Sequence, residues 1–345
     1  MFQERAAPFG LPPHGPCFDD FWLFRKCCFV DYGHARLTLS TMPPDDTRKL
    51  LLQQAQHRPI VIDAASDPYD AQQILTILTA HGIDDICTVL TADCEFAKQH
   101  ATFRYFPTFV LKAINDEILY PPQRPQQHWH TRLHRLSCLN RRPRPHRFLI
   151  YYLLAQRAWF PQVFFSFGGW ERHGDNQQFD YQNYLTAEEW QFVESHQHLW
   201  PMTHDTEYHW GYHNSHSAMS TGYKDCYANL TTETSCSLPL ITEKTTKCLR
   251  SGVLMFVCAA PGHTDQLSTL GFDMQFDMMR YDHESVLDER ARIHELITVI
   301  DSCYDIIVDI WQANLVRLQH NSELFRSHEF AHQLLTSVKG IANVD

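Results

Sequence analysis

Apolar and polar positions alternate along this chain in a rhythm of short buried runs and longer amphipathic ones. Residues 60–64 (IVIDA) form a short apolar block, the signature of a strand covered on both faces. Asp67 and Pro68 then read as a helix cap and first helical position, and Ile74, Leu75, Ile77 and Leu78 recur at helical spacing until His81 and Gly82 end the pattern. Residues 87–90 supply a second apolar block. Strand, helix and strand at this spacing predict a βαβ unit and a parallel sheet. The same rhythm returns further on. Strands are expected at 135–140, 162–169, 226–235 and 253–259, with helices at 146–159 and 263–270. Residues 287–344 are helical in period throughout, whereas the first 45 residues mix aromatics, Pro and Cys without a readable period.

Between the two rhythmic stretches lies YPPQRPQQHWH, residues 120–130, rich in Pro and Gln. It is the expected linker. It divides the chain into two α/β domains, 1–125 and 126–345. The second carries an aromatic, His-rich insertion at about 170–225 and a helical C-terminal segment. In open sheets of this class ligands sit beyond the carboxyl ends of the strands, so the loops that follow strands are where chemistry is sought.

Composition narrows the picture only in part. With 345 residues, 44% of them hydrophobic, there is material for two cores. No apolar run is long enough to span a bilayer and the N-terminus lacks an apolar signal core, so a cytoplasmic protein is expected. Eleven cysteines without a CxxC pair fit a reducing compartment. A net charge of −11 argues against a dedicated nucleic-acid binder, though not against a local basic patch.

Such a patch follows the expected strand at 135–140. NRRPRPHR places Asn140, Arg141, Arg142, Arg144, His146 and Arg147 at the start of a helix. Guanidinium groups grip phosphate oxygens in bidentate fashion, and helix N-termini add backbone donors. Glu233, in TTETS, ends another strand, and Glu243 with Lys244, in ITEK, opens the next helix, with Lys247 one turn on. A carboxylate accepts sugar hydroxyl protons and a lysine offsets diphosphate charge. Taken singly each is an ordinary charge; together they suggest a nucleotide-sugar site.

The segment ETSCSLPLITEK resembles the donor-binding segment of the α1,3-fucosyltransferase family, with Glu233 and Glu243 at the same spacing as that family's two glutamates. CLNRRPRPHRFLIYYLL, ahead of FFSFGG, is similar to that family's Ser-Asn-x-x-x-Arg stretch and the helix and strand after it. Thr234 stands where the family has Asn, and Leu240 where it has Tyr. Residues 259–277 also look like segments of uncharacterised phage-encoded glycosyltransferase-like proteins, which would place the chain in the cytoplasm of an infected host cell.

The resemblance implies an α/β, GT-B-like fold of two facing Rossmann-like domains. It also implies inverting transfer without a metal or other cofactor, from a GDP- or UDP-sugar. The acceptor is expected to be a glycan or a hydroxylated base of modified nucleic acid. In that scheme Asn140, Arg144, Arg147, Glu243, Lys244 and Lys247 bind the donor, with Arg144 or Arg147 and Lys244 on the diphosphate and Glu243 on the ribose. Glu233 lies near the sugar, and Asp63, flanked by Asp67 and Asp93, is the expected base. Two other readings stay open. One is an inactive nucleotide- or nucleic-acid-binding protein on the same fold. The other is a zinc hydrolase built on Asp205, Glu207, His209 and His213 of the insertion.

Overall fold

A computed structural model describes residues 28–31, 43–55, 60–65, 69–119, 132–140, 142–168, 181–200, 202 and 221–339. Two four-stranded sheets, parallel throughout, organise the chain. The first takes its strands in chain order: β1 (Cys28–Asp31), β2 (Ile60–Ala64), β3 (Cys87–Thr91) and β4 (Phe103–Tyr105). Its helices are α1 (Pro44–Ala55), α2 (Ala71–Ala80), α3 (Cys94–Gln99) and α4 (Thr108–Leu119). The second sheet has the order β6-β5-β7-β8, from β5 (His134–Asn140), β6 (Phe164–Phe167), β7 (Cys226–Thr232) and β8 (Leu254–Cys258). This is the two-part α/β architecture that the alternating pattern predicts. Strand β8, LMFVC, is buried at every position, as expected of a parallel strand covered on both faces.

Helix α5 (Pro145–Ala155) joins β5 to β6 and buries Phe148, Leu149, Ile150 and Leu154 completely. Each such side chain contributes roughly 1.5–3 kcal/mol through the water it leaves. Part of the insertion packs here too. Tyr181 and Trp200 each lie 5.5 Å from the ring of Phe148, and Trp200 also lies 5.2 Å from that of Phe167. Three further elements of this stretch are α6 (Tyr181–Tyr184), α7 (Ala187–His196) and α8 (Thr221–Lys224). Next come α9 (Glu243–Ser251) and α10 (His263–Thr269). The C-terminal part is helical, as its period predicts: α11 (Glu289–Cys303), α12 (Ile307–Ala313), α13 (Leu315–Leu324) and α14 (His328–Lys339).

One feature departs from the sequence reading, and two more lie beyond it. Helix α2 starts at Ala71, and its cap is Asp70, which accepts from the backbone N–H groups of Gln72 and Gln73. Asp67, the expected cap, lies outside the described residues, as do the expected linker and the His-rich stretch 203–216. Helix α4 packs among residues of both halves: Val110, Leu111 and Ile114 belong to a cluster that contains Val61 and Leu90 as well as Phe148 and Phe256. The third feature is Arg132. It is buried and donates to the carbonyls of Cys226 (2.7 Å), Ser251 (2.8 Å) and Gly252 (3.1 Å), with its guanidinium 5.1 Å from the Trp311 ring centre. Gly252 ends α9 at φ 63°, a left-handed turn that glycine enters without strain.

The two sheets meet near their C-terminal edges. Gln266, on α10 just beyond β8, donates from Nε2 to the Ala92 carbonyl beyond β3 (3.0 Å) and to the Tyr105 hydroxyl at the end of β4 (3.2 Å). That contact puts the post-strand loops of both halves on the same side of the molecule.

Candidate functional site

Strand β5 has β6 on one side and β7 on the other, and the chain reverses its direction of sheet building there. Such a switch point opens a crevice at the strand ends. The strands that border it are tied together by polar side chains. Asn229 donates from Nδ2 to Ser137 Oγ (2.7 Å), Thr231 Oγ1 donates to Asn229 Oδ1 (2.7 Å), and Thr232 Oγ1 donates to Asn140 Oδ1. All five are buried. Asn140, expected on the donor, is thus engaged in fastening β5 to β7.

The turn after β7 is clamped from the first turn of α5. Arg144 precedes Pro145 and is extended, as a residue before proline must be. Arg147 is buried and donates to the carbonyls of Arg142 (2.9 Å), Thr232 (3.2 Å) and Glu233 (3.2 Å). Burial, then the neighbouring Arg144, bring its guanidinium down to about 10, so it stays charged at neutral pH. His146 Nε2 lies 3.1 Å from the Glu233 carbonyl. A carbonyl only accepts, so Nε2 carries the proton. Burial, then Arg147, hold this ring well below the usual histidine range, hence neutral with its lone pair on Nδ1.

Glu233, expected near the sugar, is wholly buried. Its Oε1 accepts from the Thr242 N–H (3.0 Å) and the Thr245 hydroxyl (2.5 Å), and its Oε2 accepts from the Thr242 hydroxyl. Thr242 is the cap of α9, so this carboxylate holds the helix start in place. Having given its proton to Glu233, the Thr245 hydroxyl accepts from His263 Nε2 at 3.1 Å. Burial keeps His263 below its ordinary range. Lys247 is buried as well, with Nζ 5.8 Å from the Tyr223 ring centre.

What remains open at the strand ends is a smaller set. Arg142 is exposed, and Arg144, Glu243, Lys244 and Thr234 are half-buried. Lys244 Nζ sits 3.2 Å from Thr242 Oγ1, 3.4 Å from Glu243 Oε1, 3.5 Å from Thr234 Oγ1 and 3.9 Å from Glu233 Oε2. It is a cation held between two carboxylates beside a helix start. Across in the first sheet, Asp63 is buried on β2 and accepts from the Ala65 N–H (3.0 Å), while Asp93 caps α3 through Phe96 N (2.9 Å). Both do local backbone work.

Of the eight expected site residues, then, Arg144, Glu243 and Lys244 stay partly exposed at the starts of α5 and α9. Asn140, Arg147, Glu233 and Lys247 form their buried support, and Asp63 lies in the other sheet. Sequence reasoning missed Thr242, Thr245 and His263. Only Thr242 carried a signal, as a threonine ahead of a charged helix start.

No family model matches this chain, and no curated protein does. Among solved structures it is similar to an alpha,alpha-trehalose-phosphate synthase (UDP-forming) from Burkholderia vietnamiensis, with 10% identity and a TM-score of 0.41, over 88% of this chain and 71% of that one. It is also similar to an alpha,alpha-trehalose 6-phosphate synthase from Burkholderia multivorans, with 10% identity and a TM-score of 0.42, over 87% and 69% respectively.

Proposed function

We propose that this chain transfers a sugar from a nucleotide-sugar donor to a hydroxyl acceptor. One observation supports the reading: Arg144, Glu243 and Lys244, all partly exposed, stand at the starts of the two helices that follow the central strands β5 and β7, beside a buried polar network. A diphosphate needs fixed positive charge at such a crevice, and a ribose needs a carboxylate that accepts from its hydroxyls. Arg144 and Lys244 take the diphosphate, and Glu243 the ribose. The two cations stabilise the leaving group, the role that a divalent ion plays in other transferases. Glu233 and Arg147 act as positioning residues, through Thr242 and through the turn after β7.

Inversion at the sugar needs a base for the acceptor hydroxyl. Asp63 is our candidate, on the sheet that the Gln266 contact brings alongside. A net charge of −11 favours a glycan over modified DNA as acceptor.

The test is product formation from a panel of labelled nucleotide-sugars with simple glycans and hydroxymethylated DNA. Transfer that is lost in Glu243→Ala, and reduced at least a hundredfold in kcat in Asp63→Asn, is the expected result. A second reading is a nucleotide-binding protein that performs no transfer. The burial of both Asp63 and Glu233 favours it, because neither presents an open carboxylate to an acceptor. Binding without turnover would select it.

A further inference from the structure

A cluster of metal-ligating groups lies behind the crevice, independent of the donor reading. A ring nitrogen of His146, Cys236 Sγ and a carboxylate oxygen of Glu289 lie within 4.8 Å of one another. Cys258 Sγ is not within that mutual distance, but it is 3.2 Å from Cys236 Sγ and stands beside the trio as the candidate fourth ligand. The four come from different places: the first turn of α5, the loop after β7, the last residue of β8 and the first residue of α11. His146, Cys236 and Cys258 are buried.

We propose that His146, Cys236, Cys258 and Glu289 bind one divalent transition-metal ion of the zinc class, as a closed structural site. Two thiolates, an imidazole and a carboxylate make a full tetrahedral set for zinc. His146 meets the usual condition of a ligating histidine. Its Nε2–H is given to a backbone carbonyl, that of Glu233, which leaves Nδ1 for the metal. Glu289 meets the matching one, since the Tyr184 hydroxyl donates to its Oε1 at 2.6 Å. Arg292 donates to the Cys236 carbonyl at 2.5 Å and holds that loop against α11.

A disulfide is the rival use of the two thiols. Their separation of 3.2 Å is well beyond the roughly 2.05 Å of a bonded pair. Two sulfurs at about 2.3 Å from a tetrahedral ion stand about 3.8 Å apart, so the pair opens slightly to receive one. A disulfide also gives no reason for an imidazole lone pair and a carboxylate to converge beside the sulfurs. On binding, both thiols give up their protons to solvent and the ion takes their place. The ion then ties β8 and the loop after β7 to α5 and α11, the elements that frame the crevice.

The experiment is elemental analysis of the full chain, purified under reducing conditions, chelated, reloaded with zinc and freed of excess. One zinc per chain is expected. Cys236→Ser and Cys258→Ser should each retain less than a tenth of that. The double variant His209→Ala/His213→Ala should retain it fully, which separates this site from the His-rich insertion. Should a serine variant fail to fold, cobalt loading of the unmodified protein decides. A thiolate-to-cobalt charge-transfer band with tetrahedral d–d absorption is expected, and Glu289→Gln should shift the d–d bands. Absence of the charge-transfer band, zinc retained after loss of either cysteine, or a Cys236–Cys258 disulfide in peptides mapped without reductant would each overturn the proposal.

Discussion

The two sheets have the same number of strands and the same parallel sense, yet their carboxyl ends are built differently. In the first, the acidic groups at strand ends serve their own turns: Asp63 holds the Ala65 N–H, and Asp93 caps α3. In the second, groups from distant positions meet. Glu233 is satisfied from residues nine and twelve places on, and its carbonyl is gripped by residues 87 and 86 places back. Local satisfaction makes a stable scaffold but fixes no external group. Long-range satisfaction fixes two helix starts against one another, which is what a ligand with two charged ends requires. This difference is the reason we propose the donor chemistry at the second sheet.

The largest expected effect breaks that comparison directly. Glu233→Ala leaves the Thr242 N–H and two threonine hydroxyls without a buried acceptor and should cost about 3–5 kcal/mol. Asp63→Ala removes a local turn contact and should cost about 1–2 kcal/mol. Urea unfolding of the two variants side by side tests this, and equal losses would erase the distinction.

Next comes pH. Glu284 accepts from Thr264 N–H (2.9 Å) and Thr264 Oγ1 (3.0 Å), and burial pushes it up from 4.5 to about 7. Between those values the folded chain holds a proton that the unfolded chain has lost. Stability therefore falls as pH rises from 4.5 to about 7, by roughly 3 kcal/mol at most. Glu284→Gln should flatten that slope, and melting curves across the window measure it.

Arg147→Lys, which cannot span three carbonyls, should cost about 2 kcal/mol and weaken donor binding together with stability. Gly252→Ala is the smallest change. The added Cβ in a left-handed turn should cost about 1 kcal/mol in thermal melting and leave donor binding unchanged.

How much of this was legible in the sequence divides along the same line. Strands β2, β3, β6 and β8 were readable as short, largely apolar blocks between turn signals, and β5 and β7 from their place in the resumed strand–helix rhythm. Strand β4 was not, because three residues carry no period, and β1 lay in a stretch without one. The crevice was legible in its charges and illegible in its burial. TTETS reads as a strand end, and nothing near Glu233 reveals that Thr242 and Thr245 fold back to enclose it. His146, Cys236, Cys258 and Glu289 fit no spacing rule, because four separate elements bring them together. Short-range pattern reports elements, and it is silent on which ends of those elements meet.

The central claim is that Arg144, Glu243 and Lys244 hold a nucleotide diphosphate at the switch point of the second sheet. Its most direct test is a thermal-shift panel of GDP, UDP, ADP, CMP and their sugar conjugates on the unmodified chain, Arg144→Ala and Glu243→Ala. A ligand at about 100 times its dissociation constant adds roughly 2.7 kcal/mol, a shift of several degrees. The expected result is a shift with one base that both variants lose while melting alone as the unmodified chain does. A shift that survives both substitutions, or no shift with any nucleotide, would contradict the account.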